Sequence, residues 1–318
     1  MTLHLLRTSN SYTLMVSDRL VSGRMTDALA NKNLIYHARD AIVAIGYAGR
    51  AYGLNLSNSN MPSDEWLAEK LWGKPIERGP DGVAPATFTF GKISKHLNVG
   101  QSINLLRNEL IASFDALPRS DRKRVQFHLV LAGWRESRHG ISYILTQIKR
   151  SNDTFKIETA PRYYYRVRTG TCVLSFPDGY ISQTHLSDIA GRLKPLTPDE
   201  SESLLVEEIR RVAALHPDKV GPHCLSILLP PQPTSPIRVR FIPTVEHTAV
   251  VTLPRRAISK TLGVAFSPWV IGPRILAAPA VMNGNSTLHL GPIRINIEAP
   301  ASQQGITLHY SLRRPPGI

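Results

Sequence analysis

Cysteine is nearly absent from this chain, which holds two in 318 residues, Cys172 and Cys224, with no CxxC pair. That count excludes a disulfide framework and a thiolate metal cluster, and both cysteines read as small buried apolar residues. Long apolar runs are missing as well. None approaches the ~20 uninterrupted residues of a membrane-spanning helix, and the N-terminus lacks the charged-then-apolar pattern of a signal peptide. The chain is therefore expected to stay in the cytoplasm and to have no membrane partner. Several chemical signatures are also missing: a phosphate-binding P-loop, a dinucleotide glycine pattern after a strand, HExxH and GxSxG. No cofactor is expected. The eleven histidines are scattered, and His216 with His223 reads as a turn pair, so no metal is expected either.

Acidic residues are scarce, 24 against 38 lysines and arginines, for a formal charge of +14. Such a balance suits an acidic partner, nucleic acid included. The basic residues are nevertheless dispersed, at Arg119 to Arg124, Arg135 and Arg138, Arg162 to Arg168, Arg255-Arg256 and Arg313-Arg314. In Arg162-Tyr163-Tyr164-Tyr165-Arg166-Val167-Arg168 aromatics interleave with arginines as on a single-strand binding platform. The preferred reading is a strand with tyrosines on alternating faces. Nucleic acid stays open as a partner without being favoured.

What is present describes a globular chain of one or two domains, 42% apolar and 19% charged. Leu3 and Leu5, then Tyr12, Leu14 and Val16, alternate on either side of Thr8-Ser9-Asn10-Ser11, which predicts a hairpin. Ala41 to Ile45 is a short apolar strand ending at Gly46-Tyr47-Ala48-Gly49. Strands thus begin at the second residue, leaving no room for a leader. Because Met1 precedes a small residue, its removal is expected, which would make Thr2 the first residue. A threonine in that position carries its own general base, since a free α-amine has a pKa near ~8 and can take the hydroxyl proton. Lys32 near the hydroxyl would favour the alkoxide, Asp18 would orient the lysine, and the Gly49 N–H would stabilise the tetrahedral oxyanion.

The order Thr2, Asp18-Arg19, Asn31-Lys32, Gly46-Tyr47-Ala48-Gly49 resembles the proteasome β-subunit and its bacterial relatives, members of the N-terminal-nucleophile (Ntn) hydrolases. In that family an N-terminal threonine begins the first strand, an aspartate ends the second, a lysine opens the third, and an Ala-Gly or Gly-Gly turn ends the next. Lys32 lies about two residues closer to the aspartate than the family pattern. Each residue also has an ordinary reading: Asp18-Arg19 can close a hairpin, Lys32 can be a solvated turn residue, and Gly49 can be a strand-end glycine.

Further along, Ser63 to Gly73 predicts a short helix with Ser63 as N-cap, and Asn98 to Leu117 a longer one with Ile103, Leu106, Leu110, Ile111, Phe114 and Leu117 on one face. A basic turn, Arg119 to Arg124, leads to a second run of strands over 125–134, 141–149 and 154–159, the tyrosine segment and 170–175. Ser175 falls near the place of a family serine, and a turn serine before Pro177-Asp178-Gly179 is the simpler account. Thr197-Pro198-Asp199-Glu200 is a capping box opening a helix with Leu204, Leu205, Ile209, Val212 and Leu215 on its apolar face. His216 to Gly221 ends that helix and Cys224 to Leu229 is a strand. The resemblance assigns Asp218 to the family's second aspartate, near the threonine. Gly221 stands where the family usually has a serine.

From Pro230 onward the chain has no helical pattern, with alternating pieces at Ile237 to Ile242, Thr248 to Leu253, Ser286 to Ile297 and Gly305 to Leu312, and a hairpin turn at Asn283-Gly284-Asn285. The expectation is therefore an α+β fold: a four-layer αββα sandwich of two antiparallel sheets over 1–243, and a β-rich C-terminal extension over 244–318. That extension would cover a sheet edge, gate the site or make a subunit contact. By resemblance the chain would be a threonine peptidase-like hydrolase of peptides or small amides that assembles into a homo-oligomer. Its site residues would be Thr2, Asp18, Lys32, Gly49 and Asp218. A catalytically silent scaffold and a basic nucleic-acid-associated protein are the alternatives.

Overall fold

The structure is a computed structural model. It describes residues 2–20, 31–52, 54, 61–76, 88–90, 96–122, 126–138, 140–151, 154–159, 172–176, 179–231 and 236–242, and from 265 onward the strands named below. In chain order these are β1 (His4–Thr8), β2 (Thr13–Asp18), β3 (Asn33–His37), β4 (Ala41–Gly49), α1 (Ser63–Trp72), β5 (Phe88–Phe90), α2 (Val99–Asp115), α3 (Arg119–Arg122), β6 (Phe127–Ser137), β7 (Gly140–Ser151) and β8 (Thr154–Thr159). There follow β9 (Cys172–Phe176), α4 (Gln183–Leu193), α5 (Pro198–Leu215), β10 (Cys224–Leu229), β11 (Ile237–Ile242), β12 (Ala265–Phe266), β13 (Trp269–Gly272), β14 (Ile275–Ala277), β15 (Ala280–Val281), β16 (Ser286–Leu290), β17 (Ile293–Glu298) and β18 (Ile306–Leu312). Two compact units result. The first comprises Met1–Thr2, Asn31–Arg166 and Pro268–Pro279, the second Leu3–Ala30, Val167–Ser267 and Ala280–Ile318.

The first unit is built on an eight-stranded sheet of order β5-β14-β13-β3-β4-β6-β7-β8. All its pairings are antiparallel except β13 beside β3, which is parallel. Helices α1 and α2 share one core with this sheet, in which Trp66, Leu67, Leu71, Leu106, Leu110 and Phe114 meet Leu34, Ile45, Leu129, Ile148 and Phe155. The α2 face is the one its 3.6-residue spacing predicts. Its N-terminus is closed by a capping box in which Asn98 accepts from the Gln101 N–H at 2.8 Å and Gln101 accepts from the Asn98 N–H at 3.1 Å. Helix α1 differs from expectation at its start. Pro62 is the cap and Ser63 the first helical residue, because the Ser63 hydroxyl donates instead to the Arg50 carbonyl at 2.7 Å. The strand expected to stop before Gly46 runs on to Gly49, since β6 pairs along its whole length from Ala41↔Arg135 to Gly49↔Phe127. Of the basic turn, the described part is the short helix α3.

The second unit carries the other eight-stranded sheet, β16-β17-β18-β11-β10-β2-β1-β9. The predicted hairpin of β1 and β2 is present, in register from His4↔Ser17 to Thr8↔Thr13. Its turn is closed by Ser9, whose N–H donates to the Tyr12 carbonyl at 3.0 Å. Every residue of β1 and β2 is buried. Helices α4 and α5 pack on this sheet through Leu186, Ile189, Leu193, Leu205, Ile209 and Val212, which meet Leu5, Leu14 and Val16. The α5 capping box is formed as predicted, with Thr197 accepting from the Glu200 N–H and Glu200 accepting from the Thr197 N–H at 2.8 Å. Helix α4 was not expected from the sequence. The boundary expected at 243/244 lies outside the described residues, as do the turn at Asn283 to Asn285 and the piece at Thr248 to Leu253. Strand β18 joins β11 antiparallel, and β13 and β14 lie in the other sheet. Among the described residues no helix is long and apolar enough to cross a membrane.

Candidate functional site

Asp18 ends β2 with no exposure to solvent. A buried carboxylate needs donors, and three backbone amides supply them. The Leu3 N–H donates to Oδ1 at 2.6 Å, and the Leu20 and Gly221 N–H groups donate to Oδ2 at 3.0 and 3.1 Å. The Asp18 N–H in turn donates to the Leu3 carbonyl at 3.1 Å. Arg19 is also buried, with its N–H on the His223 carbonyl and its guanidinium 5.0 Å from the centre of the Phe241 ring. The pair is therefore more than a hairpin closure: Asp18 joins the start of the chain, the end of β2 and the turn between α5 and β10.

That turn is compact. The His216 carbonyl accepts from the Lys219 N–H at 3.0 Å and the Val220 N–H at 2.9 Å, and the Tyr180 ring meets the His216 ring edge-on at 5.6 Å. A Cβ on Gly221 would lie 2.6 Å from the Leu20 Cβ, so the closeness of Leu20 selects glycine here. Asp218 sits on the same turn, exposed. Tyr180 feels both aspartates: burial, then Asp18 and Asp218, raise its pKa, which keeps the phenol neutral and able to donate. Next in the chain, burial pushes the Cys224 thiol up to about 12, an inert packed thiol as its isolation in the sequence predicts.

The other three predicted residues belong to the first unit. Thr2 is 4% exposed. Lys32, just before β3, is 1% exposed and among the largest fully buried side chains. Tyr47 fixes its place by laying the segment ahead of β3 along β4. The Tyr47 N–H donates to the Lys32 carbonyl at 3.1 Å, its hydroxyl donates to the Asn31 carbonyl at 3.0 Å, and its ring stacks on Phe127 at 5.9 Å. A lysine almost never loses its water without compensation. Gly49 closes β4 at φ +108°, and a Cβ there would lie 2.0 Å from the Gln126 carbonyl oxygen. The approach of β6 thus requires glycine at this position whatever its chemistry.

Tyr47, Tyr180 and Leu20 were missed as supporting residues. The Gly46-Tyr47-Ala48-Gly49 stretch was read for its glycines, and only the fold shows what the tyrosine between them holds. Ser175 pairs with Leu5 across β1 and β9. The arginine-tyrosine segment Arg162 to Arg168 lies outside the described residues. Among the described residues no group of three or more His, Cys, Asp or Glu is placed to hold a metal ion.

No protein-family model matches the chain, and no curated protein matches it. Its likenesses are to solved structures. The Anbu complex of Pseudomonas aeruginosa, a helical assembly, is 12% identical over 72% of this chain and 84% of its own, with a TM-score of 0.45. Anbu, an ancestral beta-subunit, from Yersinia bercovieri is 12% identical over 72% of this chain and 81% of its own, with a TM-score of 0.43. Eukaryotic HslV from Trypanosoma brucei is 14% identical over 72% of this chain and 99% of its own, with a TM-score of 0.38. The structural neighbours of this chain are thus proteasome-like members of the Ntn hydrolases.

Proposed function

We propose that the chain is a proteasome-like amide hydrolase whose nucleophile is Thr2, exposed as the N-terminal residue once Met1 is removed. The observation that carries this reading is the burial of Lys32 to 1% exposure. A solvated turn lysine, the ordinary reading of that position, would stand in water, whereas a buried ammonium is costly unless partners held in place around it compensate for the lost water. Asp18, with its three amide donors, supports the reading as a fixed anion at the end of β2. In this mechanism the Thr2 hydroxyl attacks the substrate carbonyl while its own amine takes the proton, and Lys32 favours the alkoxide. The Gly49 N–H stabilises the oxyanion, the amine returns the proton to the leaving nitrogen, and water then releases the acyl group from Thr2.

The substrate class is a peptide or small amide. The αββα sandwich and assembly into a homo-oligomer belong to the same proposal, through the resemblance of the N-terminal motif. The test is hydrolysis of a panel of fluorogenic peptide amides by the untagged protein and by Thr2→Ala. Turnover by the parent that is lost in Thr2→Ala supports the reading. Equal turnover in both removes Thr2 from the mechanism, and no turnover in either favours a silent scaffold.

A further inference from the structure

We propose that the turn from His216 to Gly221 is a positioning element for the start of the chain, acting on Thr2 through Asp18. The connection is continuous. The Leu3 nitrogen is bonded to the Thr2 carbonyl carbon, and its hydrogen points at Asp18 Oδ1, 2.6 Å away. The other oxygen of the same carboxylate is held by Leu20 and, from the far end of the turn, by Gly221 at 3.1 Å. The near end of the turn is fixed by the Tyr180 ring on His216. Asp18 is fully buried, so water does not replace a lost donor, and a shift of the turn re-aims the carboxylate and the Leu3 amide with it.

Gly221 then has a definite role. A side chain there would have its Cβ 2.6 Å from the Leu20 Cβ, and relieving that approach would draw the Gly221 N–H away from Asp18. Gly221 and Tyr180 are positioning residues in this scheme; neither touches substrate. The consequence for hydrolysis rests on Thr2 being the nucleophile, whereas the consequence for the Leu3 amide does not.

The experiment is residue-resolved amide hydrogen exchange on the full-length protein, comparing Leu3 with Leu5 and Leu14 of the same hairpin. In Gly221→Ala, Leu3 exchange should rise about ten- to hundredfold, the factor for one lost hydrogen bond to a charged acceptor, with Leu5 and Leu14 little changed. The double variant Gly221→Ala/Leu20→Gly, which removes the clashing Cβ, should restore Leu3 protection. Tyr180→Leu should raise Leu3 exchange severalfold and Tyr180→Phe, which keeps the ring on His216, should not; this pair decides the matter if Gly221→Ala does not fold. Unchanged Leu3 exchange, or a uniform rise across the hairpin that Leu20→Gly does not reverse, overturns the proposal. With an active parent, Gly221→Ala should lower kcat and leave KM near the parent value. A Leu3 response in a parent without hydrolase activity would leave the positioning element standing and remove the catalytic reading alone.

Discussion

Replacing Lys32 by methionine separates a lysine kept for chemistry from one kept for structure. Lys32 is 1% exposed, so Lys32→Met exchanges one buried unbranched side chain for another of similar volume. Desolvating an ammonium costs several kcal/mol that its partners must offset, whereas a buried methionine contributes about 1.5–3 kcal/mol by itself. Because a buried lysine is held by partners, removing it leaves them uncompensated, and the expected loss of stability is about 3–5 kcal/mol. Amide hydrolysis should meanwhile fall by about 10²- to 10⁴-fold, the contribution of a positioned proton-transfer or charge-stabilising group. Calorimetry and progress curves on the same preparation measure both quantities. A variant that hydrolyses at the parent rate would refute the reasoning outright.

Three further outcomes follow from the packing. A Cβ at Gly133 would lie 2.1 Å from the Ile42 carbonyl oxygen across β4 and β6, so Gly133→Ala should destabilise the first unit by about 3 kcal/mol or more in urea titrations; a loss under about 1 kcal/mol would contradict the close approach. Thr197→Ala removes the α5 capping box and should cost about 1 kcal/mol by the same measurement, while Thr197→Asp should retain most of it. Burial, and next the neighbouring His96, lower the His37 pKa to about 3, below the ~6.5 of an unfolded histidine. Its neutral form therefore contributes stability in full above pH ~6.5, and that contribution is lost as pH falls toward the folded-state value. His37→Gln should flatten the stability curve over that window, and an unchanged slope would sink the assignment.

Local signals in the sequence were legible where a side chain acts on its own backbone. The box at Thr197 and the hairpin around Ser9 are of this kind, and each formed as its residues predict, whereas the box at Asn98 closes a helix that was expected from its apolar face alone. Ser63 failed as a cap because its hydroxyl is engaged by Arg50, a partner the neighbouring residues do not reveal. Helix α4 carried a signal that went unread: Ser182 caps it, accepting from the His185 N–H, and Leu186, Ile189 and Leu193 line one face. Of the strands after 265, β16, β17 and β18 fall on the alternating pieces expected at Ser286 to Ile297 and Gly305 to Leu312, whereas β12 to β15 were not expected, and the parallel pairing of β13 with β3 joins residues more than two hundred positions apart, which no local pattern encodes. Asp18, Lys32 and Gly49 were singled out by their order along the chain. Their surroundings were not, because the Leu3 and Gly221 amides on Asp18, the Tyr47 brace beside Lys32 and the approach of Gln126 to Gly49 all come from other segments of the chain.

The most direct measurement is the intact mass of the untagged protein before and after treatment with an acylating β-lactone, in the parent and in Thr2→Ala. The account predicts a parent lacking Met1 that gains one acyl group, mapped to Thr2, and a Thr2→Ala protein that gains none. Retention of Met1 would leave the Thr2 nitrogen an amide with no basic lone pair, and that result, or equal acylation of both proteins, would contradict the central claim.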